Sequence, residues 1–197
     1  MAQPSRAEGL ARQAAKPVMW MLCLLPLALI VWDGLHGGLS ADPIREVTHR
    51  TGKTALILLM ASLAVTPLRK LGAWNYLIQL RRPLGLFAFF YAVTHFGIYL
   101  ADQGLDVGFI TEDIVKHPYV TVGFAALLLL VPLALTSTKA SIKRLGGKKW
   151  QRLHRLVYLA AGLGVVHFYW LVKKDVREPL IFAAVFATLM AFRLPLL

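Results

Sequence analysis

The stretch at residues 81–100, RRPLGLFAFFYAVTHFGIYL, predicts the fold of the whole chain. It begins with two arginines and a proline, and it continues as an apolar and aromatic run long enough to enter a bilayer. One ionisable residue, His95, stands well inside that run. Ionisable side chains are costly in hydrocarbon, so a histidine at this depth is expected to face the interior of a helix bundle, where it ligates a metal or handles protons.

The rest of the chain has the composition of a membrane protein. Of its 197 residues, 57% are hydrophobic and 16% are charged, and the mean hydropathy is +0.60. The net charge of +12 does not indicate nucleic acid binding, because the basic residues fall between apolar runs, where positive charge orients membrane helices. The single cysteine, Cys23, excludes a disulfide framework and a cysteine-ligated iron–sulfur cluster, so redox chemistry would require a bound cofactor.

Six apolar runs are long enough, or nearly so, to span a bilayer. They lie at 18–32, 52–67, 83–100, 119–135, 153–172 and 180–194. We therefore predict an all-α integral membrane protein, a six-helix transmembrane bundle, with an N-terminal tail at 1–17 and a single membrane domain at 18–197. The first run is not followed by a small-residue cleavage site, so it is expected to be a retained helix. No internal repeat is expected.

The charges of the connecting segments predict the orientation of the bundle. The segments at 68–82 and 136–152 are basic and contain no acid, which the positive-inside rule assigns to the cytoplasm. The segment at 101–117 holds four acids against one lysine, and it is expected outside together with the loop at 33–51. Both termini are then expected in the cytoplasm.

Two histidines are predicted to lie at the same depth. His95 and His167 are each about five residues from the outer end of predicted spans that run in the same direction. Two imidazoles at one level on neighbouring helices can supply the axial ligands of a haem between them. The alternative is a pair of hydrogen-bonded core histidines that contribute only packing. His49 is expected in the outer loop, closing a helix start or covering a haem edge, and His36 and His117 are expected to be solvated.

His154 stands at the inner start of the fifth predicted span, thirteen residues before His167, which is about 20 Å along an α-helix. That gap suits two stacked haems, but thirteen steps leave the two side chains roughly 140° apart unless the helix is irregular. The matching position before His95 is Arg82. His154 is therefore either a second haem or cofactor contact, or an interfacial residue beside Trp150.

The arginine pair Arg81 and Arg82 has two interpretations. It is a positive-inside anchor for the third span, or it forms an anion site together with the basic segment around Lys148. Such a site would bind a flavin phosphate or a quinone headgroup through charge-assisted hydrogen bonds.

Six ordered segments carry a family resemblance. They are GGLSADPIREVTHRTGKTAL at 37–56, VTPLRK at 65–70, RRPLGL at 81–86, HPYVT at 117–121, LTSTKA at 135–140 and GKKWQRLHRLVYL at 147–159. Over nearly its whole length the sequence resembles the MsrQ (YedZ) family, the haem-binding membrane subunits of the bacterial protein-methionine-sulfoxide reductase system, within the ferric-reductase-like transmembrane group.

The resemblance implies a b-type haem protein of the bacterial inner membrane, with His95, His154 and His167 as the haem-associated histidines. It implies that Arg81 and Arg82 form a cytoplasmic site for FMN or quinone. Electrons would pass to a periplasmic, molybdopterin-containing methionine sulfoxide reductase subunit that repairs oxidised proteins, and the donor would be quinol or a cytosolic flavin reductase. Relatives with two haems have two histidines on each of the third and fifth spans. Here the third span has only His95, which favours one complete haem.

Two other functions compete with electron transfer. A small proton-relaying transporter would need acids within the spans, and every acid is expected in a loop or tail. A stand-alone ferric-reductase-like membrane enzyme is the other alternative, and the sequence carries no signature of its substrate pocket.

Overall fold

The computed structural model describes residues 6–72 and 74–193, with side chains from residue 13 onward. These residues form nine α-helices, one short 3₁₀ helix at Asn75–Leu77 and no strand. The α-helices are α1 Arg6–His36, α2 Pro43–Gly72, α3 Ile78–Asp102, α4 Val107–Lys116, α5 Pro118–Leu135, α6 Lys139–Leu145, α7 Gly147–His154, α8 Leu156–Leu171 and α9 Arg177–Ala191. The prediction of an all-α protein is confirmed.

Four helical segments are long and apolar enough to cross a membrane. They are Gln13–His36, Pro43–Gly72, Asn75–Asp102 and Pro118–Leu135. The helices α8 and α9 match the fifth and sixth predicted spans, but they have 16 and 15 residues, fewer than the roughly 20 that a span across the hydrocarbon core needs. The count of six spans and the orientation of the termini stay predictions. Residues 1–5 of the predicted tail, and Leu194 of the sixth predicted span, lie outside the described residues. The rest of the predicted tail, from residue 6, forms the first part of α1.

The prediction of an outer loop at 33–51 is wrong, because most of this segment is helical: α1 extends to His36 and α2 begins at Pro43. The side chain of Asp42 accepts a hydrogen bond from the backbone N–H of Arg45 at 3.1 Å, which satisfies a free donor at the helix start. Pro43 occupies the first turn, where its missing N–H has no intrahelical partner to lose. His49 therefore lies inside α2 rather than in a loop.

Two further connecting segments also contain helices. The outer segment at 101–117 holds α4, whose start is capped by Asp106 accepting from the N–H of Phe109 at 3.1 Å. The basic segment at 136–152 holds α6 and most of α7, and Thr138 caps α6 in the same way. Hydropathy identified these segments as connections between apolar runs, but it does not report helices that lie outside a bilayer.

Two antiparallel helix pairs, α2 with α3 and α5 with α8, make the most extensive contacts in the bundle. The helix α9 packs against α8 and α2, and α1 packs against α2 and α3. Several of the most deeply buried side chains come from the middle of these helices, namely Leu63, Ala88, Tyr91, Ala160 and Ala161.

Tyr91 fastens α1 to α3. Its side chain is fully buried, and its hydroxyl donates to the carbonyl of Cys23 at 2.7 Å and accepts from the N–H of Leu27 at 3.1 Å. In a regular α-helix those two backbone groups bond to each other. The tyrosine hydroxyl is instead inserted between them, next to Pro26, which already removes one hydrogen bond from α1.

Arg193 makes a comparable contact between α2 and the end of α9. One of its terminal nitrogens, Nη2, donates to the carbonyl of Leu63. This carbonyl would ordinarily accept from the residue four positions later, but that residue is Pro67, which has no N–H. A side chain at the end of α9 therefore satisfies a backbone acceptor in α2.

We expect Tyr91→Phe to lower the stability of the protein in detergent by about 1–3 kcal/mol, because two buried backbone groups lose their partner. Thermal unfolding should show a fall in Tm of several degrees, at about 2–4 °C per kcal/mol. Tyr169→Phe is the matched control, because Tyr169 is exposed. Equal Tm values for the two variants would contradict the insertion.

Candidate functional site

The structure brings His95 of α3 and His167 of α8 together. Their ring centroids lie 6.1 Å apart, and the ring planes make an angle of 79°. Both side chains are partly buried between the helices. The two rings therefore face a shared space at one level of the bundle.

Each of these rings is bonded through Nδ1 to a backbone carbonyl of a neighbouring helix. Nδ1 of His95 lies 2.8 Å from the carbonyl oxygen of Thr48 in α2, and Nδ1 of His167 lies 2.7 Å from that of Tyr119 in α5. A carbonyl only accepts, so both Nδ1 atoms carry the proton, and in the neutral ring Nε2 keeps the lone pair. Metal-ligating histidines almost always donate their other ring nitrogen in this way.

A glycine lies beneath each ring. Gly52 follows Thr48 by one turn of α2, and a Cβ atom on Gly52 would come within 2.9 Å of Nδ1 and Cε1 of His95. Gly123 stands one turn after Tyr119 in α5, and a Cβ there would come within 2.6 Å of Nδ1 of His167. Carbon atoms do not approach that closely, so any larger residue would push the ring away from its carbonyl.

The two halves of this site correspond in sequence, which corrects the expectation of no internal repeat. Residues 52–59, GKTALILL, match 123–130, GFAALLLL, and 63–66, LAVT, match 133–136, LALT. Each histidine is followed by phenylalanine, at 95–96 and 167–168. Aligning the two hairpins would have found both glycines from the sequence alone, because each stands at the start of its matching run.

The separation of the two rings suits one metal atom between them. Two metal–nitrogen bonds of about 2 Å, together with the radii of two imidazole rings, require ring centroids roughly 6 Å apart. No group of three or more His, Cys, Asp or Glu side chains suited to a metal ion occurs among the described residues. A site with two protein ligands fits a haem iron, for which the porphyrin supplies the remaining donors.

His154 is not brought to this pair. The fifth predicted span is interrupted at Arg155, where α7 ends and α8 begins. This is the kind of irregularity that His154 would need to share a face with His167, but the two rings are not in contact. The ring of His154 stacks on Trp150 with centroids 3.8 Å apart, and its Nδ1 lies 3.1 Å from the carbonyl of that residue. Its Nε2 is buried and has no hydrogen-bond partner within the described part of the chain.

The predicted arginine pair is divided by the structure. Arg81 is partly buried and lies close enough to the hydroxyl of Tyr158 to interact with it electrostatically, whereas Arg82 is exposed. Arg193 reaches the same hydroxyl through Nη1 at 2.5 Å. These residues lie at the basic end of the bundle, which we define by the segments 68–82 and 136–155. Nothing in the local sequence indicates that Arg193 is buried.

The other three histidines lie towards the opposite end. His49 is exposed and makes an edge contact with Phe168, with ring centroids 5.8 Å apart. His117 lies 2.7 Å from the carboxylate of Asp113, which also accepts a hydrogen bond from Tyr99. His36 is exposed and stacks on Trp32.

This all-helical bundle belongs to the ferric-reductase-like transmembrane class, because the family model Ferric reductase like transmembrane component matches residues 51–165. The chain is 53% identical over 171 residues to the protein-methionine-sulfoxide reductase heme-binding subunit MsrQ of Deinococcus radiodurans, covering 87% of this chain and 85% of that protein. The MsrQ subunit of Rhodospirillum rubrum is 53% identical over 180 residues, with 89% and 85% covered. That of Ralstonia nicotianae is 46% identical over 193 residues, with 96% and 89% covered. The chain belongs to the family of MsrQ heme-binding subunits, as the resemblance in the sequence predicted.

Proposed function

We propose that the protein is a membrane electron-transfer subunit that binds one haem b, with His95 and His167 as the axial ligands of the iron. The observation that supports this most strongly is the pair of level imidazoles, 6.1 Å apart, each with its Nδ1 occupied by a carbonyl. The names of the relatives describe heme-binding subunits of a methionine sulfoxide reductase. They support the same cofactor here.

We also propose that six helices span the bacterial inner membrane, namely α1, α2, α3, α5, α8 and α9, with both termini in the cytoplasm. The distribution of charge supports this orientation. The segments 68–82 and 136–152 contain no acid, whereas the acids of 101–117 lie at the opposite end of α3 and α5. The histidine pair then lies near the periplasmic side.

The proposed electron path runs from the basic end to this pair. FMN or a quinone would bind near Arg81 and Arg82 and would receive electrons from quinol or from a cytosolic flavin reductase. His154 is a candidate contact for that cofactor or for a second haem, because its Nε2 is buried without a partner. The acceptor would be a periplasmic, molybdopterin-containing methionine sulfoxide reductase subunit, and the complex would repair oxidised periplasmic proteins.

When bound, the haem supplies one-electron chemistry. The contribution of the chain is to hold and orient the cofactor. The carbonyls of Thr48 and Tyr119 fix the rotation of the two rings and direct each lone pair to Nε2. Buried apolar side chains such as Val165 and Phe168 reduce the access of water from the α8 side.

The proton-relaying alternative receives no support from the described residues. Acids do lie within helices, contrary to the expectation that all would fall in loops, but in the helices proposed as spans the described acids stand in terminal turns. Asp33 pairs with Arg50 at 2.6 Å, and Glu178 pairs with Lys53 at 2.6 Å. Both pairs lie at the end of the bundle opposite the basic end, which also holds the acids of segment 101–117 and which we call the acidic end. They link helices there and do not form a chain across the bundle.

Replacing either ligand should abolish the low-spin haem spectrum. We expect reduced-minus-oxidised difference spectra of the purified protein in detergent to show a b-type haem band, and we expect His95→Ala and His167→Ala each to lose it. His36→Ala should leave the band unchanged, because that ring is exposed at the end of α1. A wild-type protein without haem would refute the proposal, and a single variant with full low-spin haem would refute the ligand pair.

The two glycines should control the environment of the haem without being ligands. Gly52→Ala and Gly123→Ala are each expected to displace a ring from its carbonyl, which weakens the hydrogen bond that raises ligand basicity. A shift in midpoint potential and a partial loss of low-spin character should follow. Gly97→Ala is the control, because a Cβ on Gly97 meets nothing within 4 Å. The same potential in all three variants would argue against this role.

The angle between the ring planes predicts an electron paramagnetic resonance signature. Imidazole planes at 79° leave two iron d orbitals close in energy, so the oxidised wild type should give a low-spin signal with one very large g value. A rhombic signal, as nearly parallel imidazoles produce, would contradict the observed ring orientation.

A further inference from the structure

Two guanidinium groups meet at one hydroxyl at the basic end of the bundle. Arg193 is only 3% exposed, and its Nη1 donates to the hydroxyl of Tyr158 at 2.5 Å. Arg81 lies close enough to Tyr158 and to Arg193 to interact electrostatically with both, and the two guanidinium charges repel. The carbon at the centre of the Arg193 guanidinium lies 5.0 Å from the centroid of the Tyr158 ring.

These two cations have no carboxylate partner among the described residues. The ion pairs of the described side chains are carried by Asp33, Glu46, Glu112, Asp113, Asp175 and Glu178. All six belong to the acidic end, and the segments 68–82 and 136–155 contain no Asp or Glu. A buried charge without a counter-ion costs several kcal/mol, so a cluster of this kind is stabilised by an anion.

Several polar atoms around the two arginines form no hydrogen bond. Three buried side-chain atoms in the described residues lack a hydrogen-bond partner, and they are Nε of Arg193, Nε2 of His154 and Oγ1 of Thr66. His154 lies close enough to Arg81 for the two to interact electrostatically, and Thr66 is one turn beyond Leu63, whose carbonyl Arg193 contacts. All three orphaned atoms therefore belong to one end of the bundle.

A purely structural role for Arg193 leaves part of this unexplained. Satisfying the Leu63 carbonyl requires a single N–H, and Arg193 provides that with Nη2. It does not require a second cation at Tyr158, nor does it use Nε. A planar guanidinium beside a second one is the arrangement that proteins use to bind a phosphate through several parallel hydrogen bonds.

We propose that Arg81, Tyr158 and Arg193 form a binding site for a phosphate monoester. This rests on the proposed cofactor site at the basic end and specifies its residues. Tyr158 positions both guanidiniums, and Arg193 brings the second charge from α9, more than a hundred residues away along the chain. A neutral quinone headgroup leaves the two charges uncompensated, whereas a phosphate compensates both.

The test compares FMN with riboflavin, which lacks the phosphate, by flavin fluorescence titration of the full-length, haem-loaded protein in detergent. The wild type should bind FMN more tightly than riboflavin. Arg193→Gln and Tyr158→Phe should each reduce that preference by roughly tenfold or more, since a hydrogen bond to a charged group is lost. Lys70→Gln is the matched control, because Lys70 is exposed at the basic end, and it should keep the wild-type preference. Tyr158→Phe retains the size of the ring and the charge of Arg193, so it tests the site if Arg193→Gln does not fold.

Haem spectra recorded on the same samples separate this inference from the proposed function. Normal haem with equal affinity for FMN and riboflavin, or with no binding of either, overturns the phosphate site and leaves the haem proposal standing. Loss of preference in Lys70→Gln but not in Arg193→Gln also overturns it. Inorganic phosphate should displace FMN. If only an anionic lipid such as phosphatidylglycerol does so, the cluster binds lipid headgroups and the inference is wrong.

Discussion

The hydrogen bond from a histidine Nδ1 to a helix carbonyl is the interaction on which the arrangement of this protein depends. It occurs twice, from His95 to Thr48 and from His167 to Tyr119. Each bond requires a ring to reach the backbone of the next helix, so a glycine must stand where the ring passes. The two pairs joined in this way, α2 with α3 and α5 with α8, are also the most extensively packed. One bond thus fixes the level of the helices, the rotation of the ring and the position of its proton.

Two further long-range polar contacts lie where helices are irregular. In hydrocarbon no water is present to satisfy a free carbonyl or N–H. Proline at positions 26 and 67 interrupts the hydrogen bonding of α1 and α2. Arg193, just beyond α9, provides the partner that the Leu63 carbonyl loses at Pro67, and Tyr91 of α3 bonds to the backbone of α1 beside Pro26. The bundle is therefore held by polar groups at a few points, with apolar packing between them.

Hydropathy and spacing predicted the all-α class, the shared depth of His95 and His167 and the basic character of one end. They could not predict where helices end, because helix length beyond the hydrocarbon depends on caps such as Asp42 rather than on apolar content. They also could not predict the two glycines, since hydropathy carries no information about the space a Cβ would occupy. Arg193 was missed for a third reason. Its partners Leu63 and Tyr158 are 130 and 35 residues away in sequence, so no local pattern contains the contact.

The same distances impose an order on biosynthesis. The backbone groups of Cys23 and Leu27 enter the membrane well before Tyr91 is synthesised, 64 residues after Leu27. The carbonyl of Leu63 waits longer, because its donor lies at the end of α9. Until Arg193 is synthesised, the carbonyl of Leu63 lacks this donor, so the contact between α2 and the chain beyond α9 forms only after α9 has been made.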